Sequence, residues 1–316
     1  MLCSRVGCSR VGLTSEKIMI TRDKPSSSAR RQAGWRAVES LRPENERVCY
    51  DPFAGYFSFG GAWARIIKNR FLKKVLIMVC NTNPTGMVGE AVGRTRYIDD
   101  CLKTQIEDGI RQLVVLGAGY DSRAYRFPDL KGKTKVFEVD HEATQEVKIR
   151  KIKEIFGSVP DHVVYVPVDF NREELDKKLA EKGYDRTLKT FFIWEGVTMY
   201  LTAEAVETTL AFIARNSGKG SSLIFNYIYK SVVDGTCQER EAKTILKNCE
   251  RIGEPLIFGL EEENIVGFLY SRGFTEVINV NGNFYKEAYF QAKKKNRKVS
   301  HCLAIVHAKV LAPITD

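Results

Sequence analysis

The sequence predicts an α/β protein built on an open, mostly parallel β-sheet with helices on both faces. Three observations carry that prediction. From about residue 90 onward, short apolar strands alternate with helix-length segments. The strands are continuous apolar runs, as strands covered on both faces are. The first of them runs directly into Gly117-Ala-Gly119, a tight turn of the kind found where a sheet strand meets a helix.

The elements follow in order. Ser26-Ser-Ser28 precedes a helix over 29–41, with Ser28 as N-cap and Pro43 just past its end. A helix over 90–108 places Ile98, Leu102 and Ile106 on one stripe and stops at Gly109. Strands are expected at 112–116, 135–140, 163–166, 190–194 and 222–227. Between them lie a helix closed by Gly157, a polar helix around 172–181, and a helix over 203–215 with Val206, Leu210 and Ile213 at i, i+4, i+7. The stretch 231–270, containing Gly253-Glu-Pro255, breaks the alternation and reads as a lid. Segments 274–280 and 302–310 read as strands with no strong helix pattern between them. That predicts a hairpin, and hence an antiparallel strand closing one edge of the sheet.

With 316 residues, 44% hydrophobic and 28% charged, the chain has globular composition and can bury a full core without staples. Its longest apolar run, residues 75–80, is far short of the roughly 18 residues of a membrane span. The net charge of +10 is concentrated at the ends: residues 1–36 and 286–309 each carry +6, leaving the rest nearly neutral. Residues 1–28 are expected to be a basic, disordered extension holding a tandem repeat, Cys3-Ser-Arg-Val-Gly7 and Cys8-Ser-Arg-Val-Gly12, with Met19 as an alternative start. Residues 29–316 are expected to form one domain, with cap elements at about 29–75 and 231–270. The eight cysteines include no C-x-x-C pair, so reduced packing thiols of a cytoplasmic protein are expected, with no metal site.

The chemistry is read from the strand ends. A dinucleotide fingerprint would need a third glycine where Ser122 stands, and Asp121 puts a negative charge where a pyrophosphate would lie. The turn therefore suits a phosphate-free nucleoside, and S-adenosylmethionine fits. Asp140 closes the second strand, where an acid can accept from both ribose hydroxyls. Asp169 and Phe170 follow the third strand, placed to meet an adenine amino group and ring; Glu195 follows the fourth. In an open parallel sheet these carboxyl ends converge on one crevice.

Over residues 25–310 the chain resembles the leucine carboxyl methyltransferase superfamily, especially its microbial members of uncharacterised substrate. The resemblance rests on Arg47-Val-Cys-Tyr-Asp-Pro-Phe-Ala54, Arg94-Thr-Arg-Tyr-Ile-Asp-Asp100, Leu116-Gly-Ala-Gly-Tyr-Asp-Ser-Arg123, Phe137-Glu-Val-Asp140, Trp194-Glu-Gly-Val-Thr-Met-Tyr200 and Gly253-Glu-Pro-Leu-Ile-Phe-Gly259. It implies a class I methyltransferase (Rossmann-like) fold. It also implies that Gly117 and Gly119 line the cofactor, Asp140 holds its ribose, Asp169 and Phe170 contact adenine, and Glu195 meets the methionyl ammonium. Two basic residues would clamp the methionyl carboxylate. Arg30 is the closest match to the first, with Arg31 competing; the second is Arg94 or Arg96.

No Ser-His-Asp set or paired-carboxylate site is evident, and the four histidines read as surface or packing residues. A methyl transfer to a carboxylate tolerates this, because the acceptor is already ionised at neutral pH, with a pKa near 4. The reading is thus an S-adenosylmethionine-dependent O-methyltransferase acting on a carboxylate of a small molecule or peptide. The alternatives are a tRNA-modifying carboxyl methyltransferase of the wybutosine type, motivated by the basic run Lys293–Lys298, and a non-catalytic cofactor-binding protein.

Overall fold

The computed structural model describes residues 24–292 and 296–311. The tandem repeat, Met19 and Lys293-Lys-Lys295 lie outside the described residues, as does all of the predicted extension before Lys24.

Five helices precede the sheet: α1 (Ser27–Ser40), α2 (Ala54–Phe59), α3 (Trp63–Lys68), α4 (Arg70–Asn81) and α5 (Met87–Glu107). The N-cap of α1 is Ser26, not Ser28: its hydroxyl accepts from the Ala29 N–H at 3.1 Å, and Ser28 falls inside the first turn. Three consecutive serines offer three equivalent caps, and tertiary contacts choose among them.

The sheet then builds through β1 (Gln112–Leu116), α6 (Arg123–Arg126), β2 (Lys135–Asp140), α7 (Glu142–Phe156), β3 (Val163–Pro167), α8 (Leu175–Glu181), β4 (Thr190–Trp194), α9 (Ala203–Arg215) and β5 (Ser222–Ile228). The strand order is β3-β2-β1-β4-β5-β7-β6, and β1 to β5 are mutually parallel. Chain order reverses between β1 and β4, which opens a crevice above their carboxyl ends. Alternate residues of β1 feed opposite layers: Leu113 and Val115 join the core beneath α1, α2 and α5, while Val114 and Leu116 join that beneath α8 and α9.

After β5 come α10 (Lys230–Val233), α11 (Arg240–Arg251) and α12 (Ile265–Tyr270), which occupy the predicted lid. Helix α11 seats Ala242, Ile245 and Cys249 against Met199, Ile228 and Leu303, a third apolar cluster over the carboxyl ends. The last strands, β6 (Phe274–Asn281) and β7 (Leu303–Val310), pair antiparallel as expected. Strand β7 inserts between β5 and β6, leaving β6 outermost. The connection is not a simple hairpin: α13 (Gly282–Tyr289) leaves β6 directly, with the Asn281 side chain capping it. Its anchor is Tyr285, whose buried ring lies so close to α5 that a Cβ at Gly93 would stand 2.9 Å from it. Eight residues with mixed aromatic and polar character give too short a period to show in sequence.

Candidate active site

Above the carboxyl ends of β1, β2, β4 and β5 lies a cavity of about 810 Å³. Its floor is the β1 turn. Gly117 and Gly119 have φ of +64° and +42°, and a Cβ on Gly117 would stand 2.2 Å from Val197 Cγ2. The Gly119 N–H donates to the Asp140 carboxylate, and the His141 N–H donates to its other oxygen at 2.6 Å. Burial raises the Asp140 pKa, opposed by these two amides. The turn and the second strand end are thereby locked together. Asp169 and Phe170 line the neighbouring wall, as does His141, the N-cap of α7.

Glu195 sits at the centre. Its Oε1 accepts from Arg94 Nε at 2.9 Å and its Oε2 from Arg123 Nη1 at 2.8 Å. Burial alone would raise its pKa, but Arg123 and Arg94 hold it down to about 2. Arg94 is itself gripped on its far side by both oxygens of Glu90 at 2.6 Å, and its remaining nitrogen reaches Gln32 at 3.3 Å. Arg123 also binds Asp121 and, at 2.8 Å, Asp99, which in turn takes Arg126 at 2.6 Å. Four carboxyl groups (Glu90, Asp99, Asp121, Glu195) thus interlock with three guanidiniums (Arg94, Arg123, Arg126).

The structure places the two members of each arginine pair differently. Arg94 lines the cavity, whereas Arg96 is 45% exposed on its outer side, paired with Asp100 at 2.9 Å and stacked on Tyr289. Two residues along a helix point about 200° apart, so only one can face inward. Arg31 lines the cavity, with its Nε buried and without a partner among the described residues. Arg30 does not reach the wall; its Nε donates to the Ser58 carbonyl at 3.1 Å.

Sequence reasoning missed several members. Arg123 closes the glycine-turn motif yet was assigned no task; its partners Asp99 and Glu195 lie 24 and 72 residues away in the chain. Asn226 on β5 is fully buried, accepts from the Gly196 N–H at 2.5 Å, and its Nδ2 has no hydrogen-bond partner among the described residues at the cavity wall. Glu90, at the first turn of α5, gives no sign of being paired except its i, i+4 spacing to Arg94.

The far wall is formed by the insert and α1. Cys249 and Tyr200 both stand in it, and burial pushes the pKa of each up. Neither is poised to remove a proton. At the outer end of the predicted basic run, Arg297 is committed to Glu39 through two contacts at 2.8 and 2.6 Å. No helix among the described residues is long and apolar enough to cross a membrane.

Strand order, the crevice at its reversal point and the glycine turn beside strand-end acids define a class I methyltransferase fold. Two solved structures share it across nearly their whole lengths. One is a provisionally assigned methyltransferase from Thermobifida fusca, with TM-score 0.54 and 13% identity, covering 93% of this chain and 97% of that one. The other is a DUF574-family protein from Streptomyces avermitilis, with TM-score 0.53 and 12% identity, covering 93% and 100%. Residues 29–214 match the family model for leucine carboxyl methyltransferase, and the chain belongs to that family. It is 29% identical over 217 residues to YktD of Bacillus subtilis, provisionally named an S-adenosyl-L-methionine-dependent methyltransferase, covering 69% of this chain and 71% of YktD. SCO7813 of Streptomyces coelicolor, named in the same way, is 33% identical over 205 residues, covering 63% and 69%. The span matched by the family model, residues 29–214, contains Asp140, Asp169 and Glu195 and stops before the insert.

Proposed function

We propose that this methyltransferase uses S-adenosylmethionine to esterify a carboxylate on a small molecule or peptide. The observation that carries the reading is the convergence, on one cavity, of the glycine turn, Asp140, Asp169 and the arginine-gripped Glu195.

The residues fit that cofactor. The glycine turn packs closely against α1, since a Cβ at Gly119 would stand 3.0 Å from Ala29 Cβ and 4.0 Å from Asp140. In this reading Asp140 accepts from the ribose hydroxyls while its own amide partners hold it still, and Asp169 with Phe170 flank the adenine. Glu195 meets the cationic end of the ligand. Arg31, with its unpartnered Nε, and Arg94 face the methionyl carboxylate; Asn226 Nδ2 supplies a further donor. When bound, S-adenosylmethionine supplies an activated methyl group on a positively charged sulfur.

What remains for the protein is orientation. An ionised carboxylate needs no base, and burial keeps Cys249 and Tyr200 on the wall beside the insert from serving as one. Aligning the acceptor oxygen and excluding water are worth roughly 7–11 kcal/mol at the upper end. Helices α1 and α11 shut the cavity over the acceptor side, where Met199, Ile245 and Leu256 give it an apolar lining.

The test is transfer of labelled methyl from the cofactor to candidate carboxylates, followed by mild alkali. Release of the label as methanol supports the ester. Label that survives alkali rejects it while leaving the methyltransferase class intact.

A further inference from the structure

We propose that helix α4, with the end of α3, is a docking face for an anionic membrane surface. The helix is oriented in the wrong sense for a solvent-facing element. None of its residues is buried, yet Phe71, Leu72, Met78 and Val79 are exposed by 72, 38, 59 and 57%, with Ile67 at 36% beside them. Phe71, Val75 and Met78 recur at i, i+4, i+7, and Leu72 and Val79 run alongside, so the stripe is continuous. On the inner side only Leu76 packs against the core. A helix covering a globular core would turn this stripe inward.

The charge around the stripe is of one sign. Arg65, Lys68, Arg70, Lys73 and Lys74 flank it, and residues 52–89 contain no Asp or Glu. None of the five forms an ion pair among the described residues. This selects the occupant. A second copy would bring the same cations against themselves, and residues 1–23, with four Lys/Arg and two Asp/Glu, are also positive. An anionic lipid surface neutralises the lysines while their aliphatic stems lie along the apolar stripe and the large side chains enter the headgroup boundary. The chain leaves α4 through Asn83, Thr85 and Met87, all of which line the cavity, so the docking face is continuous with the site wall.

The experiment is flotation of the full chain with vesicles of phosphatidylcholine alone or mixed with phosphatidylserine, at low and high salt. Wild type is expected to float with the anionic vesicles, to stay behind with the neutral ones, and to be released by salt. The double change Lys73→Glu with Lys74→Glu lowers partitioning by roughly tenfold or more. The double change Phe71→Ser with Met78→Ser, which leaves every charge in place, also abolishes flotation. Phe71, Lys74 and Met78 are exposed and Lys73 is half-buried; unchanged melting and unchanged cofactor binding verify that the variants are folded. Failure of wild type to bind anionic vesicles overturns the proposal. So does flotation that survives the Phe71/Met78 change, which would assign binding to the basic chain ends. A dimer in light scattering that the same change dissociates, without vesicle binding, assigns the face to a second copy and overturns it equally.

Discussion

The Glu254 carboxylate, in the insert after β5, accepts from the Ser27 N–H at 2.8 Å and from the Ser28 N–H at 3.1 Å. The insert therefore caps α1, and these two walls of the cavity are fastened at one point. Ser26, the side-chain cap of the same helix, also reaches Glu254, at 3.2 Å.

Replacing Glu254 by Ala is expected to free that point. The stability cost is about 1 kcal/mol, the usual worth of a helix cap. The informative readout is hydrogen exchange: the amides of Ser27 and Ser28 should exchange faster, while those of β1 and β4 stay unchanged. Equal protection in both proteins would show that the closure does not depend on this contact.

Glu195→Gln keeps the shape and removes the charge that Arg94 and Arg123 share. Leaving two buried guanidiniums short of a carboxylate is expected to cost about 3–5 kcal/mol in chemical denaturation. Cofactor affinity, measured by calorimetry, should fall by about tenfold or more if Glu195 meets the ligand's positive end. A destabilised variant that binds as before would confine Glu195 to a structural task.

Acid sensitivity follows from the same cluster. Glu195 and Asp121 are both held near a pKa of about 2, below their ordinary 4.5 and 3.8. A lowered folded-state pKa adds stability that is complete above the ordinary value and is lost as pH falls toward about 2. Glu195 alone is worth about 3 kcal/mol on this basis. Melting temperature should therefore fall steeply below about pH 4, and Glu195→Gln should flatten that fall.

Behind the glycine turn, Lys148 Nζ lies 2.8 Å from Glu138 and 3.4 Å from the Ala118 carbonyl, with Tyr125 donating to Glu138 at 3.1 Å. Burial raises the Glu138 pKa to about 7, against the pull of Lys148. Lys148→Met is expected to cost about 3–5 kcal/mol, more at alkaline pH where Glu138 must ionise alone. Adding Glu138→Gln should restore much of it; strict additivity in the double-mutant cycle would show that the two do not interact.

Gly117→Ala tests the floor. The added methyl meets Val197 and the residue sits at φ +64°, so cofactor affinity should drop by about tenfold or more. Pairing it with Val197→Ala relieves the contact but not the dihedral strain, and should recover only part of the loss.

Much of this protein is legible in its sequence, for reasons that are local. Strands β1, β2 and β4 begin and end at the residues read from the pattern, because a run of apolar residues bounded by glycine or an acid needs no distant information. The glycine turn and the acids at Asp140, Asp169 and Glu195 are legible for the same reason: each follows a strand that announces itself. Helix α13 was not, since its formation depends on Tyr285 finding α5, and neither was the exposed stripe of α4, whose outward placement is set by packing.

The chain order of strands, acids and glycines by itself determined that one crevice would form and which carboxylates would rim it. Only the tertiary structure decided which arginines face that crevice. Arg30 and Arg31 are neighbours in sequence, and Arg94 and Arg96 nearly so; a helix turns such neighbours about 100° and 200° apart, and packing alone sets which one is inward. The pairing of Glu195 with Arg94 and Arg123 is likewise a product of folding, since Coulomb attraction acts across space and leaves no periodic trace along the chain.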